Sequence, residues 1–359
     1  MTRTVLPLSD VITLQRGFDL PTSSRKKGQY PVVASTGITT VHSEAKVKGP
    51  GVVIGRSGSI GGGQYVKDDF WPLNTTLWVK DFKGNNERFI YYLLKSIDFS
   101  SFNAGAAVPT LNRNHLSALK VRIPSRDEQN MIADILGSID EKIALNRKMN
   151  ETLEQMGQAL FKKYFITNPE ANKWDRNSLD EIADFLNGLA MQKYPKVKDE
   201  PTLPVIKIRE MTSGITQNTD IANANIPDKY IIHNGDLLFS WSGTLLVNFW
   251  SGGDGALNQH LFKVTSGKYP EWLYYFWTKY HLDDFVRTAK SKATTMGHIQ
   301  RKHLNDAKVL VPDKSSMDTI GQQIQPLLDQ QKNNALQIQS LIALRDSLLP
   351  RLISGIIQI

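Results

Sequence analysis

Between Arg126 and Phe165, the residues Ile132, Leu136, Ile139, Ile143, Leu153 and Leu160 keep to one seam, with spacings built from threes and fours. Only a helix gathers such positions on one face, and about five heptads of them predict a single long rod. At 1.5 Å per residue, some 35 helical residues reach on the order of 50 Å, wider than a small domain. The rod is a ruler, and the rest of the chain is organised around its length.

The segment before it is punctuated by Gly and Pro. Its short β-branched runs, Pro31-Val32-Val33, Gly51-Val52-Val53-Ile54 and Leu77-Trp78-Val79, predict strands separated by turns. Glu87 to Ile97 has helical spacing instead, so the block is mixed α/β. Thr167-Asn168-Pro169 ends the rod, and a second mixed block starts near Trp174.

That second block repeats the first. Leu8-Ser9-Asp10-Val11-Ile12 matches Leu179-Asp180-Glu181-Ile182-Ala183, and Ile54-Gly55-Arg56-Ser57-Gly58 matches Phe239-Ser240-Trp241-Ser242-Gly243. Pro72-Leu73-Asn74 matches Ala256-Leu257-Asn258, and Phe89-Ile90-Tyr91-Tyr92 matches Trp272-Leu273-Tyr274-Tyr275. Leu111, Arg113, His115, Leu116 and Pro124 then pair in one register with Ile299, Arg301, His303, Leu304 and Pro312, each 188 residues on (299 − 111). One domain-plus-helix unit has been duplicated.

The same offset carries the rod onto Ser316 to Leu349, where Ile320, Ile324, Leu327, Ile338, Leu341 and Leu348 take the seam positions. If the second rod packs on the first, it must run back along it, giving an antiparallel pair with a globular domain at each end. Asn146 and its counterpart Asn334 are polar seam positions near the middle of each rod. Equivalent midpoints meet in an antiparallel pair, so the two asparagines are expected to face each other as a buried pair that sets register. Solvent exposure of both is the alternative.

A prior of roughly 100–200 residues per domain gives this 359-residue chain two globular domains. The excess of 43 Lys+Arg over 35 Asp+Glu, with a pI near 9.3, favours a polyanionic partner, although solubility alone explains a modest basic balance. The absence of cysteine excludes disulfides, thiolate zinc sites and cysteine nucleophiles, and fits a reducing cytosol. No apolar core opens MTRTVLPLSD, and no apolar run nears the roughly 18 residues of a spanning helix. The expectation is a soluble, cytoplasmic protein with no membrane partner.

Catalytic signatures are missing. The Gly-rich run Gly49 to Gly63 lacks the Gly-Lys-Ser/Thr ending of a phosphate loop and is flanked by strand patterns. There is no convincing dinucleotide fingerprint and no Asn-Pro-Pro-aromatic tetrapeptide of amino-methyltransferases. Seven scattered histidines contain no HExxH, so no metal site is expected. Asp140-Glu141-Lys142 resembles part of a nuclease triad but lies within the rod as an ordinary charged run.

Sequence-specific DNA recognition needs base-edge donors and acceptors on loops, with phosphate contacts to set orientation. Candidates come in repeated pairs. Arg56, Ser57 and Ser59 around Gly58, and Trp241 and Ser242 before Gly243, sit in strand-end turns whose glycine lets the backbone approach DNA; ordinary hairpins are the alternative. Asn74 and Thr75, and Asn258, Gln259 and His260, offer groups suited to adenine or phosphate, or else satisfied turn residues. Arg113 and Arg301 fit a phosphate clamp or a structural ion pair. Lys290, Lys292, His298 and Gln300 surround the second arginine. Arg25-Lys26-Lys27, Lys193, Lys196 and Lys198 face phosphate or merely water. The aromatic helices carrying Tyr91-Tyr92 and Tyr274-Tyr275 are read as core rather than base-stacking surfaces.

At the ends of the rods the sequence resembles a known family, the specificity subunit of type I restriction-modification systems. Leu344-Arg345-Asp346-Ser347-Leu348-Leu349-Pro350-Arg351-Leu352-Ile353-Ser354-Gly355 resembles its C-terminal signature. Arg122-Ile123-Pro124 through Asp127-Glu128-Gln129 resembles its entry into the first helix, and Thr294-Thr295-Met296-Gly297-His298-Ile299 is also a phrase of these subunits. The second copy departs from the pattern, with Ser316-Met317 in place of Glu128-Gln129; if that acid–amide pair contacts a partner, only one half keeps the contact.

The resemblance implies an α+β fold with two mixed α/β target-recognition domains, two long antiparallel helices as a coiled-coil spacer, and a pseudo-two-fold internal repeat. The boundaries expected are 1–124 and 167–312 for the recognition domains, 125–166 for the first helix and 313–359 for the second helix and tail. It implies a non-catalytic reader of double-stranded DNA that docks methyltransferase subunits and a restriction/translocase subunit. Each domain would read one half of a gapped, asymmetric site. The chain would hold no cofactor, with S-adenosylmethionine, ATP and magnesium on the partner subunits. A coiled-coil scaffold joining two protein-binding domains is the rival reading.

Overall fold

The computed structural model describes residues 3–99, 102, 110–291 and 297–359. These form two compact units, Met1–Lys142 with Leu341–Ile359, and Ile143–Ser340. Thr294, Thr295 and Met296 of the family-like phrase, and Lys292, lie outside the described residues.

In the first unit, β1 (Thr4–Pro7) pairs antiparallel with β9 (Lys120–Ile123), so the block closes on its own start. Between them, β2 (Thr13–Arg16), β8 (Thr76–Asp81), β5 (Gly51–Gly55) and β6 (Gly61–Val66) form one sheet in the order β2-β8-β5-β6. β4 (Gly37–His42), β3 (Tyr30–Ala34) and β7 (Trp71–Pro72) form a second, in the order β4-β3-β7. The run Gly51-Val52-Val53-Ile54 is buried throughout because alternate side chains serve different cores. Val52 and Ile54 join the main core, while Val53 joins a smaller one with Val33, Val47, Val66 and Phe70.

Helix α2 (Glu87–Lys95) is started by Asn86, whose side chain accepts from the Phe89 amide at 2.9 Å. Its buried face, Phe89, Ile90, Leu93 and Leu94, covers the first sheet. Burying each such side chain contributes roughly 1.5–3 kcal/mol. Short α3 (Arg113–Ser117) leads into β9, and α4 (Arg126–Phe161) follows.

Both rods enter this core. Ile132, Ala133 and Leu136 of α4 pack with Leu349, Leu352 and Ile353 of α9 (Lys314–Ser354). Arg345 pairs with Asp140 at 2.8 Å, and Asp140 also accepts from Tyr92 at 2.7 Å. Glu141 pairs with Arg88 at 2.9 Å. The charged run Asp140-Glu141 is therefore committed to holding the rod on its domain.

The acid–amide pair is also used internally. Glu128 and Gln129 are each 3% exposed. Glu128 pairs with Arg3, while Gln129 donates to Asn85 and to the Pro124 carbonyl and accepts from the Asn86 amide. A role for this pair in partner contact is thus corrected. In the second copy, Ser316 instead closes a helix start, bonding through its amide and hydroxyl to Asp313 at 2.9 Å.

The second unit repeats the plan. β10 (Asp175–Ser178) pairs with β19 (Lys308–Val311). β11 (Asp184–Asn187), β18 (Leu261–Thr265), β15 (Leu237–Ser240) and β16 (Val247–Phe249) form one sheet in that order. β13 (Ile221–Asn223), β12 (Thr202–Ile206), β17 (Gly255–Leu257) and β14 (Ile231–Ile232) form the other. Helix α7 (Glu271–Ser291) takes the place of α2 but is longer. Its buried Trp272, Leu273, Tyr275, Phe276 and Trp277 meet Phe161 and Phe165 from the end of the first rod, and Ile320, Ile324 and Leu328 from the second. Short α8 (Arg301–Asp306) precedes β19. Tyr92, Tyr274 and Tyr275 are core, as expected, at 0%, 7% and 2% exposed, and Tyr91 is half-buried against the first core. Burial, followed by hydrogen bonding to Asp140 and the negative charge of Glu154 respectively, pushes the Tyr92 and Tyr275 phenols up.

Within this unit the rods run antiparallel. Asn146 donates to Gln337 at 2.6 Å, Asn334 donates to Asn150 at 2.9 Å, and Tyr164 donates to Gln323 at 3.0 Å. Asn146 and Asn334 are both buried in the seam, at 0% and 4% exposed, which excludes solvent exposure of the pair, and each bonds another partner, Gln337 and Asn150. The register sets Asn150, one turn along from Asn146, against Asn334, so the two asparagines share a polar layer rather than a hydrogen bond.

Candidate nucleic-acid interface

Each unit gathers three segments at the end of its first sheet. In unit 1 these are the turn after β5, the segment before β8 and the approach to α3. The amides of Arg56 and Ser57 donate to the Thr75 carbonyl at 2.8 and 3.1 Å, and the Leu111 amide donates to the Arg56 carbonyl at 2.8 Å. Ser57 bridges to Thr110. Arg56 also donates to the Asn74 carbonyl at 3.4 Å, Asn74 donates to Asp19, and Thr75 Oγ1 accepts from the Ser35 amide at 3.3 Å. Ser59 is exposed.

Unit 2 builds the same knot. The Trp241 amide donates to the His260 carbonyl at 3.3 Å, the Ile299 amide donates to the Trp241 carbonyl at 3.0 Å, and Ser242 bridges to His298. Leu111 and Ile299, and Thr110 and His298, are the pairs that the sequence repeat aligns. Gly58 and Gly243 both take positive φ, +81° and +66°, a conformation that glycine adopts without strain.

The side chains differ. In unit 2, Trp241 Nε1 donates to Asn187 Oδ1 at 2.8 Å. Its ring lies 5.7 Å from His260 and 6.3 Å from His298. The Gln259 amide meets His260 Nε2 at 3.3 Å, and Asn258 Oδ1 accepts from the His260 amide at 3.3 Å. His260 Nδ1 is buried with no hydrogen-bond partner among the described residues. Trp241, Ser242, Asn258, Gln259, His260 and His298 are thus brought into one cluster, as Arg56, Ser57, Asn74 and Thr75 are in unit 1.

The side chains of the two paired arginines share none of the hydrogen bonds given for these clusters. Arg301 donates to the Phe185 carbonyl at 3.1 Å and makes no ion pair among the described residues. Arg113 lines a surface pocket of about 310 Å³ with Ser9, Thr13, Asn114 and Ser117. Gln300 starts α8, its amide donating to His303 Nδ1 at 2.9 Å. Arg25, in the basic loop, donates to the Leu20 carbonyl.

Sequence reasoning missed Asn187 and Asp19, which bond to Trp241 and Asn74. The signal was present in Arg16-Gly17-Phe18 and Asn187-Gly188-Leu189, which repeat each other. A Cβ on Gly17 would stand 2.2 Å from the Leu73 carbonyl oxygen, and one on Gly188 2.3 Å from that of Asn258. Both glycines therefore mark a close backbone crossing into the cluster. Among the described residues no group of three or more His, Cys, Asp or Glu could hold a metal ion.

Two copies of one scaffold, dressed differently at the same turn, define a tandem recognition protein. The model of the type I restriction modification DNA specificity domain matches the chain twice, over residues 3–155 and 171–343. The chain belongs to that family, whose members recognise DNA and are not catalytic. It is 25% identical over 302 residues to the MjaIX type I restriction enzyme specificity subunit of Methanocaldococcus jannaschii, covering 76% of this chain and 69% of that protein. It is 20% identical over 351 residues to the HindI specificity subunit of Haemophilus influenzae, covering 74% and 76%. The crystal structure of a type I S subunit from M. genitalium shares the fold, with a TM-score of 0.63 at 17% identity over 98% of this chain and 96% of that one. No helix among the described residues is long and apolar enough to cross a membrane.

Proposed function

We propose that each unit reads one half of a bipartite, gapped and non-palindromic DNA site, and that the rods set the number of base pairs skipped. The observation that carries this reading is the shared turn cluster with unlike side chains, Arg56, Asn74 and Thr75 in one unit against Trp241, Asn258, Gln259 and His260 in the other. Identical readers would favour a palindrome; these two present different donors and acceptors.

In this reading the chain works in the cytoplasm. It positions methyltransferase subunits and a restriction/translocase subunit on DNA, and S-adenosylmethionine, ATP and magnesium belong to those partners. The test is methylation mapping of DNA from cells carrying the chain with its methyltransferase. One motif with two unlike halves at a fixed spacing is expected. Methylation without sequence preference, or at a continuous palindrome, would overturn the proposal.

A further inference from the structure

The two units differ in charge at one pair of equivalent positions. In unit 1, Arg16 lies opposite Leu77 and Leu77 opposite Ile54, with Arg56 two residues beyond. In unit 2, Asn187 lies opposite Phe262 and Phe262 opposite Phe239, with Trp241 two residues beyond. Residues two apart on a strand share a face, so Arg16 and Arg56 occupy the places of Asn187 and Trp241. The pair in unit 2 is neutral and self-satisfied through its 2.8 Å hydrogen bond.

Unit 1 replaces that bond with two guanidiniums. Arg16 is exposed and its side chain makes no hydrogen bond or ion pair among the described residues. Arg56 is half-buried, and its one side-chain bond among the described residues goes to the Asn74 carbonyl at 3.4 Å. The neighbouring carboxylate of Asp19 accepts from Asn74 instead. Two strand spacings and a two-residue offset along the strand set the two backbones about 12 Å apart, within reach of one anion for both arms. Like charges at that separation repel unless an anion sits between them.

We propose that Arg16 and Arg56 form a clamp for a DNA backbone phosphate, present in unit 1 and replaced in unit 2 by the neutral Asn187–Trp241 pair. The inference rests on the DNA-reading function above. A phosphate contact releases counterions and carries no base information, so it acts on salt dependence and not on sequence preference.

The test uses this chain in complex with its methyltransferase subunits. Fluorescence anisotropy is read on a duplex carrying the mapped site and on a scrambled duplex, over roughly 50 to 200 mM salt. R16Q and R56Q are each expected to weaken binding to both duplexes equally and to flatten the slope of log K against log salt by about one. N187A should leave the slope unchanged, and R16K/R56K should restore it, which separates lost charge from lost packing. An unchanged slope in the double Gln variant overturns the clamp. So does a loss of preference at one base pair of the first half-site, which would make the arginines base readers. Wild-type complex that binds both duplexes alike would sink the DNA-reading function itself, a result distinct from either.

Discussion

Asn334 donates its side-chain amide to Oδ1 of Asn150 at 2.9 Å, in the seam between the two rods of the second unit. Asn150 in turn donates to the Gln331 carbonyl at 3.1 Å, and Asn146 to Gln337 at 2.6 Å. A polar layer in an otherwise Ile- and Leu-lined seam specifies register, because any slip strands these amides against apolar side chains. N334L removes the donor that Asn150 uses. The expected loss is about 1–3 kcal/mol in urea denaturation, the cost of an unsatisfied buried acceptor. Unchanged stability would show that water already satisfies the layer.

His281 gives the second unit a pH dependence whose sign can be worked out. The ring stacks on Trp277 at 5.9 Å, and its Nε2 lies 2.9 Å from the Lys308 carbonyl. Burial, opposed by that hydrogen bond and by Asp284, holds it below its ordinary value of 6.5. A lowered value means that the unfolded chain binds the proton first. The contribution of His281 is then complete above pH 6.5 and is lost as pH falls through the window beneath it. Melting temperature should drop over that window in the wild type and drop less in H281Q. Equal pH profiles would assign the dependence to other groups.

G17A and G188A probe the backbone crossing that both clusters share. With backbone oxygens 2.2 and 2.3 Å from the added carbon, neither site can yield by turning a side chain. Each substitution is expected to cost about 1–3 kcal/mol, the typical range for overpacking. Denaturation of the two variants should show losses of similar size. Wild-type stability in either one would mean that the crossing is looser than its geometry.

The ruler has a direct readout. Adding one heptad to each rod, opposite each other, lengthens both by about 10 Å, or roughly three base pairs of duplex. Methylation mapping should return both half-sites unchanged with the gap widened by about that number. An unaltered gap would show that the rods do not measure distance.

The rods were legible because heptad spacing survives without knowledge of the partner, and the duplication because one offset aligned Leu111 with Ile299 and Pro124 with Pro312. The contents of the strand-end clusters were only half legible. Trp241 and His260 stand out by type, but Asn187, which fixes the indole, is an ordinary polar residue in a strand 54 positions away. Its role depends on the β11-β18-β15 order, which sequence periodicity does not encode. The asparagine layer was placed correctly in the seam and missed by one turn in pairing, since register rests on the packing of every side chain along the rods.

The split of the chain between its units has an outcome at synthesis. All the core side chains of unit 2 lie within residues 143–340, a single stretch that can collapse as it leaves the ribosome. Unit 1 must wait with an open hydrophobic cavity until Leu349, Leu352 and Ile353 emerge, the last of its wall to be translated. The reader translated first is thus finished last. A chain ending at Ser340 and released from the ribosome should resist protease across the later-made reader and be cut in the earlier one; equal resistance would refute this order.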